Sequence, residues 1–69
     1  MRRISYDPLW KKLIDAKMTK TELAKVCSIS RTTGAKMSKD EIVSLEIIQK
    51  ICNTLDCDIS DVIEMRKEG

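Results

Sequence analysis

Residues Thr19 to Lys39 read T-K-T-E-L-A-K-V-C-S-I-S-R-T-T-G-A-K-M-S-K, and the rest of the chain is organised around them. Thr19 and Glu22 form a T-x-x-E capping box, in which each side chain takes one of the N–H groups that a helix start leaves unpaired. The helix opened in this way carries Leu23, Ala24 and Cys27 on one face. Ser28 and Ile29 stop it. Ser30 is a second N-cap, for a short helix from Arg31 to about Ser38. Two helices joined by so few residues cannot lie antiparallel and must cross steeply, as in a helix-turn-helix. Ala24 sits where the axes meet, Ile29 plugs the turn, and Met37 gives the second helix its buried contact.

The residues predicted to face outward on the second helix are Arg31, Thr32, Thr33 and Lys36. They are cations and short hydroxyls, able to reach phosphates and base edges. No acidic residue occurs from Lys25 to Lys39. The net charge of +2 hides an uneven distribution: residues 17–39 hold six cations against Glu22 alone, whereas residues 40–69 hold eight acids against three cations. A basic block over the paired helices is what a phosphate-facing surface requires, although an ordinary solvated face gives the same counts.

Outward from this segment, the chain reads as one all-helical domain over residues 1–69. Glycine and proline are scarce, Phe is absent, and Tyr6 and Trp10 are the only aromatic residues, so the core must be aliphatic. Asp7-Pro8 reads as an N-cap with proline at the first helical position. Leu9, Trp10, Leu13 and Ile14 then mark an apolar stripe to about Lys17, with Trp10 as a packing anchor and Met18 beneath the following helix. Beyond Lys39, residues 40–43 read as a loop with Val43 tucked against the core. Ser44 caps a helix from Leu45 to about Leu55 whose stripe is Leu45, Ile48, Ile51, Cys52 and Leu55. Asp58-x-x-Asp61 opens a short fifth helix carrying Ile59, Val62 and Ile63, and residues 65–69 read as a loose tail. Residues 1–6 are either an arm reaching along a partner or, by the alternation of Ile4 and Tyr6, an edge strand.

Enzymatic parts are missing. There is no histidine, and the two glycines, Gly34 and Gly69, cannot make a phosphate-binding loop. Cys27, Cys52 and Cys57 are an odd number without a disulfide framework or a zinc spacing. No catalytic residue, metal, cofactor or small-molecule effector is expected. With no signal peptide or long apolar run, a cytoplasmic protein with reduced thiols and no membrane contact is expected.

The stretch M-T-K-T-E-L-A-K-V-C-S-I-S-R-T-T-G-A-K-M resembles the helix-turn-helix of Cro/C1-type (Xre-like, lambda-repressor-like) DNA-binding domains. Asp7-Pro8-Leu9-Trp10, Lys39-Asp40-Glu41, Ile51-Cys52 and Leu55-Asp56-Cys57-Asp58-Ile59 extend the resemblance to a small single-domain branch, over roughly residues 4 to 65. It implies a compact all-α, five-helix bundle with the helix-turn-helix (19–38) as helices 2 and 3, and room for a short pairing of the two chain ends. It also implies a transcriptional regulator, in the first instance a repressor, whose helix 31–38 lies in the major groove of double-stranded DNA.

Arg31, Thr32, Thr33 and Lys36 would then make base-edge and phosphate contacts. Lys20 stands where the family often has a phosphate-facing glutamine. With Thr21 beside it, and with Ser30 and Lys39, it would hold the backbone. Related repressors dimerise near their C-terminal helix, which implies a weak homodimer here, with Ile63 and Met65 as the apolar patch. Two departures stand out. Ser28 occupies a turn position where the family usually has glycine, and Gly34 occupies a helical position where it usually has an apolar side chain. A protein-interaction module on the same scaffold, such as an antitoxin or antirepressor partner working through its acidic half, is the alternative.

Overall fold

The computed structural model describes residues 1–67. Strand β1 (Arg2–Ser5) leads into α1 (Asp7–Ala16), α2 (Lys20–Val26), α3 (Arg31–Ser38) and α4 (Leu45–Leu55). A three-residue 3-10 turn (Ile59–Asp61) and strand β2 (Glu64–Lys67) complete the order. The two strands pair antiparallel, Arg2 opposite Lys67, Arg3 opposite Arg66, Ile4 opposite Met65 and Ser5 opposite Glu64. Among the described residues the architecture is therefore four helices and a small two-stranded sheet.

Four expectations are corrected here. The fifth helix is a single 3-10 turn: the Asp58–Asp61 capping box forms, but only Val62 beyond it is fully buried and the chain then extends into β2. The tail over residues 65–67 is a strand, and Glu68 and Gly69 lie outside the described residues. The helix stripes also shift: Ile14 and Leu45 are 75% and 72% exposed, whereas Ile47 packs against the core in place of Leu45. Asp7 is the first residue of α1 rather than its cap, and the hydroxyl of buried Ser5 accepts its N–H at 3.3 Å.

The core is Tyr6, Leu9, Leu13, Leu23, Cys27, Ile29, Met37, Ile48, Ile51 and Val62, drawn from every helix and from both ends of the chain. Tyr6 anchors the loop between α3 and α4. Its hydroxyl donates to the Glu41 carbonyl at 2.7 Å, and its N–H donates to Asp40 Oδ1 at 3.4 Å.

All four helices end alike. Lys17, Ser28, Asp40 and Asp56 have φ of 56°, 54°, 56° and 52°, the left-handed conformation that usually selects glycine. After each, the next N–H returns to a carbonyl five residues back: Met18 to Leu13, Ile29 to Ala24, Glu41 to Lys36 and Cys57 to Cys52, at 2.8–3.0 Å. This closure satisfies carbonyls that a helix end leaves unpaired. It also sets each of the four turns at a sharp angle, which is how helices of seven to eleven residues fold into a bundle with such short connections.

Candidate nucleic-acid interface

The capping expected for the paired helices is present. Thr19 Oγ1 accepts the Glu22 N–H at 3.1 Å, and Glu22 Oε1 accepts the Thr19 N–H at 3.2 Å. Ser30 Oγ accepts the Thr33 N–H at 3.2 Å and sets the first turn of α3. Between the helices, Ser28 takes a positive φ, and the Ile29 N–H closes on the Ala24 carbonyl at 2.8 Å. Leu23, Cys27, Ile29 and Met37 are buried beneath this turn, so the crossing is fixed by packing from below.

Two grooves flank α3. One, of about 560 Å³, runs between α2 and α3 and has Lys20, Thr21, Lys25, Ser30 and Arg31 on its walls over a floor that includes Ala24, Ile29 and Gly34. The other, of about 430 Å³, lies on the opposite flank and is lined by Arg31, Thr32, Ala35, Lys36, Lys39 and Glu41. Arg31 borders both. Seven of the eight residues singled out from the sequence thus fall on the two flanks of one exposed helix.

The eighth, Thr33, stands apart. It is half-buried and lines neither groove, and the Ser30 hydroxyl donates to its Oγ1 at 3.0 Å. Its hydroxyl belongs to the cap rather than to the exposed face. Lys20 is also engaged, since its Nζ lies 4.1 Å from the centre of the Trp10 ring.

Sequence reasoning missed Lys25, Ala35, Ser38 and Glu41. Lys25 was legible, lying four residues after Thr21 on the same helical face. Ala35 and Ser38 carry no chemical signal. Glu41 enters the basic surface only because the left-handed Asp40 turns the chain back toward Lys36.

Gly34 has ordinary negative φ, and a Cβ built on it would meet nothing within 4 Å. Beside it is a cavity of about 30 Å³ bordered by Trp10, Leu23, Ala24, Ile29 and Met37. Of the expected dimer patch, Met65 is 56% exposed on β2, whereas Ile63 packs against the core and is only partly accessible. Among the described residues no cluster of side chains is arranged to hold a metal ion, and no helix is long and apolar enough to cross a membrane.

A family model for the Cro/C1-type helix-turn-helix DNA-binding domain matches residues 8–68. The crystal structure of the transcriptional regulator VanUg (form II) superposes with a TM-score of 0.94 at 46% identity, covering 97% of this chain and 89% of that one. No curated protein matches significantly. The family match spans all four helices and the crossing built on Ser28 and Ile29, and on that ground the chain belongs to the Cro/C1-type helix-turn-helix DNA-binding domains.

Proposed function

We propose that this protein is a single-domain, sequence-specific regulator of transcription that binds double-stranded DNA with α3 in the major groove. The observation that carries the reading is the concentration of Lys20, Lys25, Arg31, Lys36 and Lys39 around one solvent-facing helix held from below by the core. Family membership and the description of VanUg as a transcriptional regulator support it. Arg31, at the first turn of α3, reads a base edge. Thr32 reaches an adjoining base or phosphate, and Thr33 acts through the cap. Lys20, Thr21, Ser30, Lys36 and Lys39 hold phosphates and fix register.

Repression is the simplest outcome, because occupancy of a site is enough to block it. One such domain reads only a few base pairs, so two copies on a palindrome form the working unit, paired weakly through the β2 side that exposes Met65.

Selection of bound sequences from a random duplex pool, followed by a salt titration on the winner, tests the proposal. A palindromic preference and a steep decline of affinity with salt are expected. A flat salt response would overturn it in favour of a protein-interaction module. Sedimentation should give mainly monomer at micromolar concentration and two copies on the selected site.

A further inference from the structure

The end of α4 differs chemically from the other three helix ends. In this cap, the residue four positions before the left-handed one and the residue just after it are brought side by side, commonly as an apolar contact. The pairs are Leu13 with Met18 and Ala24 with Ile29 at α1 and α2, whose four side chains belong to or pack against the core, and the oppositely charged Lys36 with Glu41 at α3. At α4 both positions are thiols. The Cys57 N–H donates to the Cys52 carbonyl at 3.0 Å across left-handed Asp56, and both side chains pack against the core while remaining partly accessible. Burial, and then the charge of the neighbouring Cys52 sulfur, push the Cys57 thiol up from its ordinary range, with the Lys12 ammonium opposing them. Cys27 has a different setting: it is fully buried, with its sulfur 3.3 Å from Thr54 Oγ1.

We infer that Cys52 and Cys57 are a modification site, a dithiol that hydroperoxides oxidise to a reversible intrachain disulfide at the joint between α4 and β2. One thiolate attacks a peroxide oxygen, breaking the O–O bond and giving a sulfenic acid and, with hydrogen peroxide, one water. The second thiolate attacks that sulfur, displacing its hydroxyl as a second water and forming the S–S bond. Two thiols and one hydrogen peroxide thus become one disulfide and two waters, with both electrons passing from sulfur to oxygen. The bridge would lock Asp56 in its left-handed state and fix the turn leading to Val62 and β2.

The test is to treat the full chain with hydrogen peroxide and count free thiols, intact mass and crosslinked peptides. The three thiols should fall to one, with a mass loss of two hydrogens and a peptide joining Cys52 to Cys57. Dithiothreitol should restore all three. The oxidised protein should melt higher, by several degrees, because the bridge restricts the unfolded chain more than the folded one. Cys27→Ser should respond like the parent chain, and Cys52→Ser and Cys57→Ser should each lose the response. Covalent dimers, a sulfinic acid on one cysteine, or no loss of thiols would overturn the inference. Because the readouts are chemical, they stand or fall separately from DNA binding.

Discussion

The ammonium of Lys20 lies 4.1 Å above the centre of the Trp10 ring, joining the start of α2 to the middle of α1. A cation over an indole face is attracted by ~0.5–1 kcal/mol at an exposed site, enough to bias where a flexible side chain points. Trp10 therefore holds a positive charge at the mouth of the α2–α3 groove. Lys20→Met should change the Trp10 emission and lower the salt slope of duplex binding by ~1 per protomer. An altered emission with an unchanged slope would leave Lys20 as a packing element only.

Gly34 borders the small cavity between α3 and Trp10, Leu23 and Met37. Gly34→Leu is expected to stabilise the fold by ~1–2 kcal/mol, through helix propensity and through apolar burial beside Trp10 and Met37. Denaturant unfolding measures it, and Gly34→Ala separates the two parts, since alanine restores propensity alone. A lowered midpoint for both would mean that the open space at Gly34 is needed.

Ser28 holds a φ of 54° without the freedom of glycine. A left-handed residue with a Cβ costs roughly 1–2 kcal/mol relative to its right-handed state, and Asn and Asp tolerate it best. Ser28→Gly should therefore raise stability by about 1 kcal/mol, more than Asp56→Gly does. Asp40→Gly should gain less still, because Asp40 Oδ1 also accepts the Tyr6 N–H. Thermal or denaturant melts of the three variants give the ranking.

On the DNA face, Arg31→Ala should weaken the preferred site by ~1–3 kcal/mol and relax preference at one base pair. Lys36→Ala should weaken all sequences alike and lower the salt slope by ~1. Glu41→Gln should do the opposite of Lys36→Ala, strengthening every sequence, because its carboxylate borders the same groove as Lys36 and Lys39. Lys50→Ala on α4 is the control and should change nothing. Titrations of each variant against specific and random duplexes give all four results.

Tyr6 predicts a loss of stability in alkali. Burial raises its phenol above the ordinary 10.0, the Val43 N–H opposes this, and the Asp40 carboxylate adds to it. Below pH 10 both folded and unfolded chains hold the proton, so the stabilisation is complete. Above it the unfolded chain ionises first, and stability falls until the folded phenol also titrates. Tyr6→Phe should be less stable at neutral pH, having lost the hydrogen bond to the Glu41 carbonyl, yet its stability should fall less steeply in alkali than that of the parent chain.

The helices were legible because their starts are written in side chains. Thr19, Ser30 and Ser44 accept N–H groups as capping chemistry requires, and α3 and α4 begin and end where the pattern puts them. The left-handed turns that follow them were less legible, since Lys17, Asp40 and Asp56 are not glycine. Apolar periodicity overstated burial at Ile14 and Leu45, because a stripe identifies a face but not how far neighbouring elements extend over it. The fifth helix is cut short for a related reason. The Asp58 box forms, but the path of the chain beyond Val62 is set by pairing with residues at its other end. Within the candidate site the cations were readable from charge, whereas Glu41 enters it through tertiary geometry alone.

The pairing of β1 with β2 also orders the events of folding. The helices and their caps rest on contacts a few residues apart, but the ladder joins residues roughly 60 positions apart and carries the closure entropy of nearly the whole chain. Its cross-strand partners include Arg2 with Lys67 and Arg3 with Arg66, like charges that offer little help at the encounter. Asp7, ion-paired with Arg66, relieves the repulsion only once α1 is in place. The sheet is therefore expected to close late, over a helical nucleus already assembled, and to open early in unfolding, as the hydrogen exchange of its amides would show. The helix-turn-helix can lose its flanking ribbon and keep the core that sets its crossing angle.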